Sequence, residues 1–574
     1  MDMINLKIDG LDVSVSKGTT ILEAAKELKI DIPTLCYIKK LNEVGSCRVC
    51  VVEIEGKRGL QPACVTNVSE GMVVSTANKT VRETRKNILE LILANHNREC
   101  LSCPRNLKCE LQKLCNEAGV DNVYYEKKAL RSPVSASLSI VRDPGKCVLC
   151  GRCISVCANV QNVGVIDFAY RGPQTAVTTP YEQNLSENSC INCGQCIEIC
   201  PVGALQEKDD TDKVWSAIDN PGLHVVVQVA PAVRVALGEE FGMPVGSNVE
   251  GKMVSALKRL GFDKVFDTDF SADLTIMEEG TELLDRINNG GKLPLITSCS
   301  PGWIKFCEHN YQDFLDNLSS CKSPQQMFGA VAKSYYAKRA DIDPAKIFVV
   351  SVMPCTAKKF EAVRDEMQVN GYREVDAVIT TRELAKMIKL SGMDFTKLPD
   401  GTFDGILGES TGAAVIFGAT GGVMEAALRT VADILTGKDL QDIDYKEVRG
   451  LEGTREATVE INGMEIKLAI VNGTGNAAKL LDKIRAGEAN YHFIEVMACR
   501  GGCINGGGQP IILDKSKTEE VRQRRAEGLY GIDRSKEIRK SHQNPEIKEL
   551  YADFFEKPGS HKVHEHLHTH YVKR

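Results

Sequence analysis

The run CVLCGRCISVC at residues 147–157 is followed by a second run of the same design, CINCGQCIEICP, at residues 190–201. In both runs, two, two and then three residues separate successive cysteines, and this repeat decides how the middle of the chain folds. Gly151 and Gly194 permit tight turns between the thiols, so that backbone N–H groups can point at sulfur. We therefore predict that this segment wraps around metal sites.

The spacing C-x2-C-x2-C-x3-C is typical of two-cluster bacterial ferredoxins, in which the fourth cysteine of each run binds the cluster of the other run. The predicted ligands are Cys147, Cys150, Cys153 and Cys200 for one [4Fe-4S] cluster, and Cys157, Cys190, Cys193 and Cys196 for the second. Zinc is a weak alternative, because this exchange of the fourth cysteine is unusual for zinc sites. We assign a ferredoxin-like domain to residues 138–210.

The N-terminal segment predicts a different cluster domain. Its sequence reads as a hairpin followed by an amphipathic helix capped by Thr19 or Thr20, which suits a β-grasp domain over residues 1–79. Its cysteines are Cys36, Cys47, Cys50 and Cys64. Their spacing resembles the [2Fe-2S] site of plant-type ferredoxins with a longer first gap, and a zinc ribbon is the alternative.

A third group of ligands follows in a helical segment, residues 80–125. Its members are His96, Cys100, Cys103 and Cys109. Three thiolates and an imidazole suit zinc or iron–sulfur equally by ligand type, so the local spacing leaves the metal open. The neighbouring clusters favour a third [4Fe-4S] cluster here.

Length and composition limit the class of protein. A chain of 574 residues can bury several cores, and from about residue 222 onward apolar strand-like runs alternate with helical ones, as in α/β domains. The 71 basic and 77 acidic residues include no long basic run, which argues against nucleic-acid or membrane partners. With no signal peptide or apolar span in the sequence, we expect a cytoplasmic protein whose 22 cysteines act mainly as metal ligands.

Three cysteine motifs occur in the α/β region: TSCSPGW at 297–303, VMPCTAKK at 352–359 and EVMACRGGCINGGGQP at 495–510. In this order, and behind the N-terminal cluster motifs, they resemble the catalytic chains of clostridial-type [FeFe]-hydrogenases over nearly the whole sequence. The active site of that family, the H-cluster, is a [4Fe-4S] cubane joined through a shared cysteine to a diiron unit that carries CO, cyanide and azadithiolate. The resemblance implies an α/β H-cluster domain over residues 222–574.

The resemblance also implies a role for individual residues around the H-cluster. The implied cubane ligands are Cys355, Cys499 and Cys503, the last of which bridges to the diiron unit. Met353 and Met497 are expected to pack near the iron atoms, and Lys358 to hold a cyanide by a charge-assisted hydrogen bond. Thiolates suit iron–sulfur chemistry, and GGCINGGG gives the backbone room to approach a bulky cofactor.

A proton route is implied in the same way. Its members are Cys299, Glu279, Ser319 and Glu282, with Arg286 near the surface end. The stretch TIMEEGTELLDRI, residues 275–287, reads as a helix that carries the two glutamates and the arginine on one face. Without the family, a solvated charged face is the simpler explanation of that pattern.

One position departs from the family. Most members have two adjacent cysteines before Pro301, the first passing protons and the second completing the cubane. Here Cys299 falls on the first position and Ser300 on the second. A serine hydroxyl is a harder and far less acidic ligand than a thiol, so either Ser300 ligates weakly or Cys299 swings round to ligate. We expect Cys299 to keep the proton-transfer role.

The predicted function is reversible formation of H2 from two protons and two electrons, with electrons relayed through the N-terminal clusters. IKFCEHN (304–310) and SSCKSPQQMF (319–328) resemble the catalytic subunit of NAD(P)-linked, electron-bifurcating complexes. That resemblance implies ferredoxin, flavin- and NAD-binding subunits, a small [2Fe-2S] subunit and maturation proteins as partners. The alternatives are a stand-alone ferredoxin-dependent hydrogenase, a hydrogen sensor and an electron-transfer scaffold.

Two features carry no assigned cluster. Cys115, Cys307 and Cys321 are predicted to be buried apolar packing. The tail SHKVHEHLHTHY, residues 560–571, holds five of the ten histidines, and we expect a polar terminal segment that docks on a partner more readily than a metal site at His566, His568 and His570.

Overall fold

The structure is a computed structural model that describes Asp2–Glu126 and Val134–Arg574. The chain divides into two compact units. The first comprises Met1–Asn159, Gly164–Asn188 and Cys196–Gln206, and the second Val160–Val163, Ser189–Gln195 and Glu207–Arg574. Within the described residues, every helix is too short or too polar to traverse a lipid bilayer.

The first unit begins with the predicted β-grasp sheet. In spatial order its strands are Leu11–Ser16, Met3–Ile8, Val73–Ser75, Val51–Ile54 and Gln61–Pro62. Asp9 and Gly10 both adopt positive φ, as the two central residues of a tight hairpin turn require. Thr20 caps the helix Ile21–Glu27 by accepting a hydrogen bond from the Glu23 N–H at 3.3 Å, so the predicted threonine cap is confirmed.

The rest of the first unit is built from short elements around its cysteines. Its helices are Lys79–Ala94, Glu110–Glu117 and Arg152–Ser155, with Gln195–Ile199 at the division between the units. Its strands are Ser135–Ala136, Ile140–Arg142, Asp167–Ala169, Ala176–Thr178 and Leu205–Glu207. The last of these pairs with Ile140–Arg142, and its final residue, Glu207, is already assigned to the second unit.

The second unit contains two sheets of four strands. The first is entirely parallel, in the order Lys264–Asp267, His224–Val229, Ile347–Met353 and Ala377–Thr380. The second has the order Leu295–Ile296, Phe493–Met497, Met464–Asn472 and Thr454–Ile461, with only the last pair antiparallel. The central strands are almost continuously apolar because helices cover both faces of a parallel sheet. The predicted α/β fold of this region is confirmed.

Helices surround these sheets. They are Thr211–Ile218, Glu250–Leu260, Thr268–Asn289, Pro301–Asn310, Pro324–Val331, Ala337–Ala340, Ala357–Glu361, Thr381–Leu390, Gly412–Val415, Gly422–Thr436, Thr474–Arg485, Thr518–Ser535, Pro545–Leu550 and His561–Leu567. Asp267 caps Thr268–Asn289 by accepting from the Asp269 N–H at 3.0 Å, and Gly290 ends it in the left-handed conformation. This helix is buried along most of its length, so its polar residues face protein more than solvent.

Candidate functional site

The three cysteine motifs of the second unit meet in one cavity. Each follows a strand, since Leu295–Ile296, Ile347–Met353 and Phe493–Met497 end just before Cys299, Cys355 and Cys499 respectively. Leu295–Ile296 and Phe493–Met497 are parallel neighbours in one sheet and Ile347–Met353 lies in the other, so the carboxyl ends of strands from both sheets, where α/β proteins bind ligands, contribute to the cavity. The cavity encloses about 830 Å³ of space not filled by protein atoms, including space open to solvent.

Cysteine sulfur dominates the chemistry of the cavity. The cysteines in its wall are Cys193, Cys299, Cys355, Cys499 and Cys503. Burial raises the pKa of Cys499 well above its usual range and that of Cys503 to about 12. Buried thiolates need a cation to offset their loss of hydration, and a coordinated metal supplies that charge. The donor set therefore fits an iron–sulfur cofactor.

The cavity wall also contains two methionines and a hydrogen-bond acceptor that has no donor within the part of the chain that the structure describes. Met353 and Met497 are buried and line the cavity. Gln325 also lines it, and its Oε1 atom is buried without a hydrogen-bond partner among the described residues. An unpartnered buried polar atom is costly in a folded protein, and a bound group would relieve that cost.

The glycines of the third motif serve close packing between backbone segments. A Cβ added at Gly506 would lie 2.2 Å from the carbonyl oxygen of Pro354, and one at Gly502 would lie 2.7 Å from the amide nitrogen of Thr420. Gly502 also has φ of 90°, which L side chains rarely adopt. We predicted that these glycines let the backbone approach a bulky cofactor. At Gly502 and Gly506, the atoms that approach closely belong to the protein's own backbone.

Lys358 reaches the cavity from the helix Ala357–Glu361. Its Nζ donates to Glu361 Oε2 at 2.8 Å, to Ser323 Oγ at 2.7 Å and to the Cys299 carbonyl at 3.1 Å. An ammonium group has three donors, and all three have protein acceptors here. The residue is therefore held rigidly in the wall, with Glu361 balancing its charge.

Ser300 and Cys299 both line the cavity but differ in their surroundings. The Ser300 hydroxyl accepts a hydrogen bond from the Ala498 N–H at 3.2 Å. The Cys299 thiol has its pKa raised well above the usual range by burial and by the nearby Glu279 carboxylate, and Cys503 adds to the effect. Cys299 thus lies between the predicted proton route and the cysteines of the third motif.

The glutamate face of the helix Thr268–Asn289 is not solvated. Glu279 is 2% exposed, and burial raises its pKa to about 8, with contributions from Glu282 and from Glu495. Ser319 donates to Glu282 Oε2 at 3.0 Å, and its hydroxyl also acts on the pKa of Glu279. Arg286 Nη2 pairs with Glu282 Oε1 at 2.6 Å. The simpler interpretation as a solvent-facing charged stripe is therefore wrong.

Glu495 is a site residue that sequence reasoning missed. It is fully buried in the strand Phe493–Met497 and accepts hydrogen bonds from the N–H groups of Gly421 (2.6 Å) and Met424 (2.9 Å). Its charge acts on the pKa values of Glu279, Cys299 and Cys503. A lone acidic residue in the apolar run FIEVM was the available signal.

Four ferredoxin-type cysteines meet in the first unit. Cys147, Cys150, Cys153 and Cys200 line a cavity with about 500 Å³ of space not filled by protein atoms, including space open to solvent. These are the four residues that the spacing rule groups into one cluster. The second predicted set is divided, with Cys157 and Cys196 in the first unit and Cys190 and Cys193 in the second.

The N-terminal cysteines also come together. Cys50 and Cys64 have their sulfur atoms 3.3 Å apart, and a hydrogen bond with Cys47 lowers the pKa of Cys36 to about 5. In the next segment, His96 Nδ1 is buried with no hydrogen-bond partner in the part of the chain that the structure describes. A nitrogen left open in this way fits a metal ligand.

The cysteines without an assigned cluster are buried, as predicted. Cys115 is 7% exposed, and Cys307 and Cys321 are fully buried. The terminal segment is ordered as the helix His561–Leu567, whose Leu567 carbonyl accepts from the Lys322 N–H at 2.8 Å. The histidine tail thus packs on its own chain.

Comparison with known families supports the same assignment. The matches are to the iron-only hydrogenase large subunit, C-terminal domain (223–507), the iron hydrogenase small subunit (519–574), a 2Fe-2S iron–sulfur cluster binding domain (1–79), the NADH-ubiquinone oxidoreductase-G iron–sulfur binding region (85–123) and a 4Fe-4S dicluster domain (146–204). Hydrogenase and iron–sulfur domains therefore follow each other along one chain.

Similar proteins extend over the full length. The chain is 50% identical to the NADP-reducing hydrogenase subunit HndD of Solidesulfovibrio fructosivorans and 45% identical to iron hydrogenase 1 of Clostridium pasteurianum, with both proteins covered completely. A solved structure of a variant of [FeFe]-hydrogenase HydA1 from Chlamydomonas reinhardtii shares 42% identity at a TM-score of 0.57, covering 64% of this chain and 99% of that one. The chain belongs to the iron-only, or [FeFe], hydrogenase family. It is an oxidoreductase that acts on H2 and carries iron–sulfur cofactors.

Proposed function

We propose that the cavity of the second unit holds the H-cluster, with Cys355, Cys499 and Cys503 as ligands of its cubane. The observation that carries this proposal is that three thiols from two distant motifs line one buried cavity. When bound, the cofactor supplies the site at which protons and electrons combine to H2. The protein's own residues position it, exclude water and move protons.

The ligand assignment has a direct test with a matched control. Alanine replacement of Cys355, Cys499 or Cys503 should lower the iron content of anaerobically purified protein and abolish H2 production. Cys307→Ala also removes a buried thiol, but one outside the cavity, and should leave the iron content unchanged. Equal iron in all four variants would refute the assignment.

The fourth cubane position falls to Ser300 in this proposal, while Cys299 keeps the proton-transfer role. The structure supports this division, since Glu279 raises the pKa of the Cys299 thiol and Ser300 lies against the third motif at Ala498. The cubane is then held by three thiolates and a harder oxygen ligand or none. A cysteine restored at position 300 tests the point through iron content.

Protons reach the cavity through Cys299, Glu279, Ser319 and Glu282, with Arg286 at the outer end. The contact that supports this route best is the hydrogen bond that the Ser319 hydroxyl donates to Glu282 Oε2 at 3.0 Å, and Ser319 also partly offsets the rise that burial causes in the pKa of Glu279. Glu279 has a pKa of about 8, which suits transfer near neutral pH because it both holds and releases a proton there. Lys358 anchors the wall, and to hold an anionic ligand of the cofactor its ammonium group would have to exchange one of its three protein acceptors for that ligand.

Electrons enter through four accessory clusters in this proposal: one [2Fe-2S] and three [4Fe-4S]. The [2Fe-2S] ligands are Cys36, Cys47, Cys50 and Cys64, and the His-ligated cubane uses His96, Cys100, Cys103 and Cys109. The eight ferredoxin-type cysteines hold the other two. Iron analysis and electron paramagnetic resonance of the reduced protein test this count.

The chain acts in the cytoplasm as the catalytic subunit of an NAD(P)-linked, electron-bifurcating complex. Two observations favour this over a stand-alone enzyme. The chain is similar over its full length to a protein described as an NADP-reducing hydrogenase subunit. The segments IKFCEHN (304–310) and SSCKSPQQMF (319–328) also resemble the catalytic subunit of such complexes. The many thiol ligands suit a reducing compartment. Co-purification with flavin-bearing subunits supports the complex, whereas full NAD-free activity of the isolated chain with ferredoxin supports the stand-alone alternative.

A further inference from the structure

At its outer end the predicted proton route runs from Glu282 to Arg286. Glu282 is paired with Arg286, whose guanidinium stays protonated at any physiological pH and so cannot pass its proton on. The side chains of both residues are 14% exposed. A neighbour that takes up and releases protons would therefore add to the limited direct contact of Glu282 with solvent.

The histidine tail supplies such a neighbour. His568 Nδ1 lies 2.8 Å from Ser320 Oγ, and the Ser320 hydroxyl lies 3.2 Å from Glu282 Oε2. Backbone pairing fixes this arrangement, since Cys321 and His568 form an antiparallel bridge and the Thr569 N–H donates to the Ser320 carbonyl at 2.7 Å. A hydroxyl both donates and accepts, so it links an imidazole to a carboxylate.

The residues around His568 leave a small part of its side chain exposed to solvent. Its side chain is 7% exposed, and its ring centroid lies 4.2 Å from that of the exposed His564. Its Nε2 is 3.5 Å from Glu278 Oε2, a carboxylate that also accepts from the Tyr551 hydroxyl and the Gly559 N–H. The titratable groups that face or adjoin it are Glu278, Glu282, Cys321, Tyr551 and His564.

We infer that His568, acting through Ser320, is a proton-exchange group for Glu282 and gives the proton route an exit to solvent in addition to the partly exposed Glu282 itself. Imidazole is the side chain whose protonation changes most readily between pH 5 and 8. The inference deepens the proposed function and rests on Glu282 belonging to the proton route. His568 contacts neither the cavity nor its cysteines, so its contribution is separable from cofactor binding.

The test compares His568→Gln and Ser320→Ala with His570→Gln in the matured holoenzyme. His570 is an exposed histidine of the same tail, so its variant should keep the wild-type rate. At about pH 8, His568→Gln and Ser320→Ala should each lower H2 production at least about threefold, less than the loss of a sole proton donor because Glu282 keeps its own contact with solvent. Added imidazole should restore the His568→Gln rate.

A second readout does not depend on turnover. After transfer into D2O, the infrared band of the buried Glu279 carboxyl should shift more slowly in His568→Gln and Ser320→Ala than in the wild type. Unchanged exchange and an unchanged pH profile in both would overturn the inference. So would an effect of His568→Gln alone, because Ser320→Ala keeps the backbone pairing of the tail and removes only the link.

The two proposals fail in distinguishable ways. If the wild-type protein makes no H2, the proposed function is refuted. If carboxyl exchange is nevertheless slower in the two variants than in the wild type, the exchange role of His568 is supported. A fully active wild type whose variants match it in rate, pH profile and exchange refutes the role of His568 and leaves the proposed function standing.

Discussion

Replacing Glu279 by glutamine tests proton transfer while leaving the size and neutral charge of the buried side chain unchanged. The rise in pKa from 4.5 to about 8 corresponds to about 5 kcal/mol in favour of the neutral carboxyl in its buried position. Glutamine is neutral and of nearly the same shape, so it fits the site, and its amide N–H can donate to the Ser319 hydroxyl oxygen as the protonated carboxyl would. It cannot release a proton, and H2 production should fall about 100-fold or more.

The pH dependence follows from the same value. Below about pH 8 the wild-type carboxyl is protonated and can donate toward Cys299, and above it the carboxylate predominates. Wild-type H2 production should therefore fall as pH rises through about 8, whereas the residual rate of Glu279→Gln should lack this step. Hydrogen evolution from a reduced viologen dye measures both.

A control on the same helix guards against general damage. Asp285 is exposed, and Asp285→Asn should leave the rate and its pH profile unchanged. Iron content should be equal in all three proteins, because Glu279 holds no metal in this account. Glu279→Gln with more than about a third of the wild-type rate would refute the relay, since a required proton donor contributes at least about 100-fold.

Three further predictions concern neighbouring residues. Ser300→Cys should raise the iron content per chain, and an unchanged value would mean that a fourth protein thiolate is already in place. Lys358→Met should leave Glu361 as an unpaired buried charge and destabilise the protein by about 3–5 kcal/mol, seen as a lower melting temperature that Glu361→Gln largely restores. His96→Ala should remove the iron of one accessory cluster while leaving that of the cavity, and stoichiometric zinc in the wild type would contradict an iron–sulfur assignment there.

Local patterns in the sequence predicted much of the fold. Thr20 caps its helix because a threonine hydroxyl satisfies an N–H that the first turn leaves unpaired, which depends on neighbours in sequence alone. The strand Ile347–Met353 is apolar on both faces for the equally general reason that helices cover a parallel sheet. Such elements follow from periodicity and capping.

The site could be predicted only in part. The order of the cysteine motifs indicated which thiols meet, but the burial of Glu279 depends on tertiary packing that a helical pattern does not contain. Glu495 and Gln325 carry no spacing signal, since a single acidic residue in an apolar run and a glutamine in a polar stretch both have many explanations. The docking of His568 beside Glu282 joins residues nearly 300 positions apart, which local sequence cannot specify.

Infrared spectroscopy of the anaerobically matured protein shows whether the cavity holds a diiron cofactor. Iron-bound CO and cyanide absorb where protein groups do not, so wild-type protein should show their bands and Cys503→Ala should lose them. Cys307→Ala should keep them. A matured wild-type protein without such bands, or a Cys503→Ala variant that retains them, would contradict the claim that Cys503 and its partners hold a diiron cofactor in this cavity.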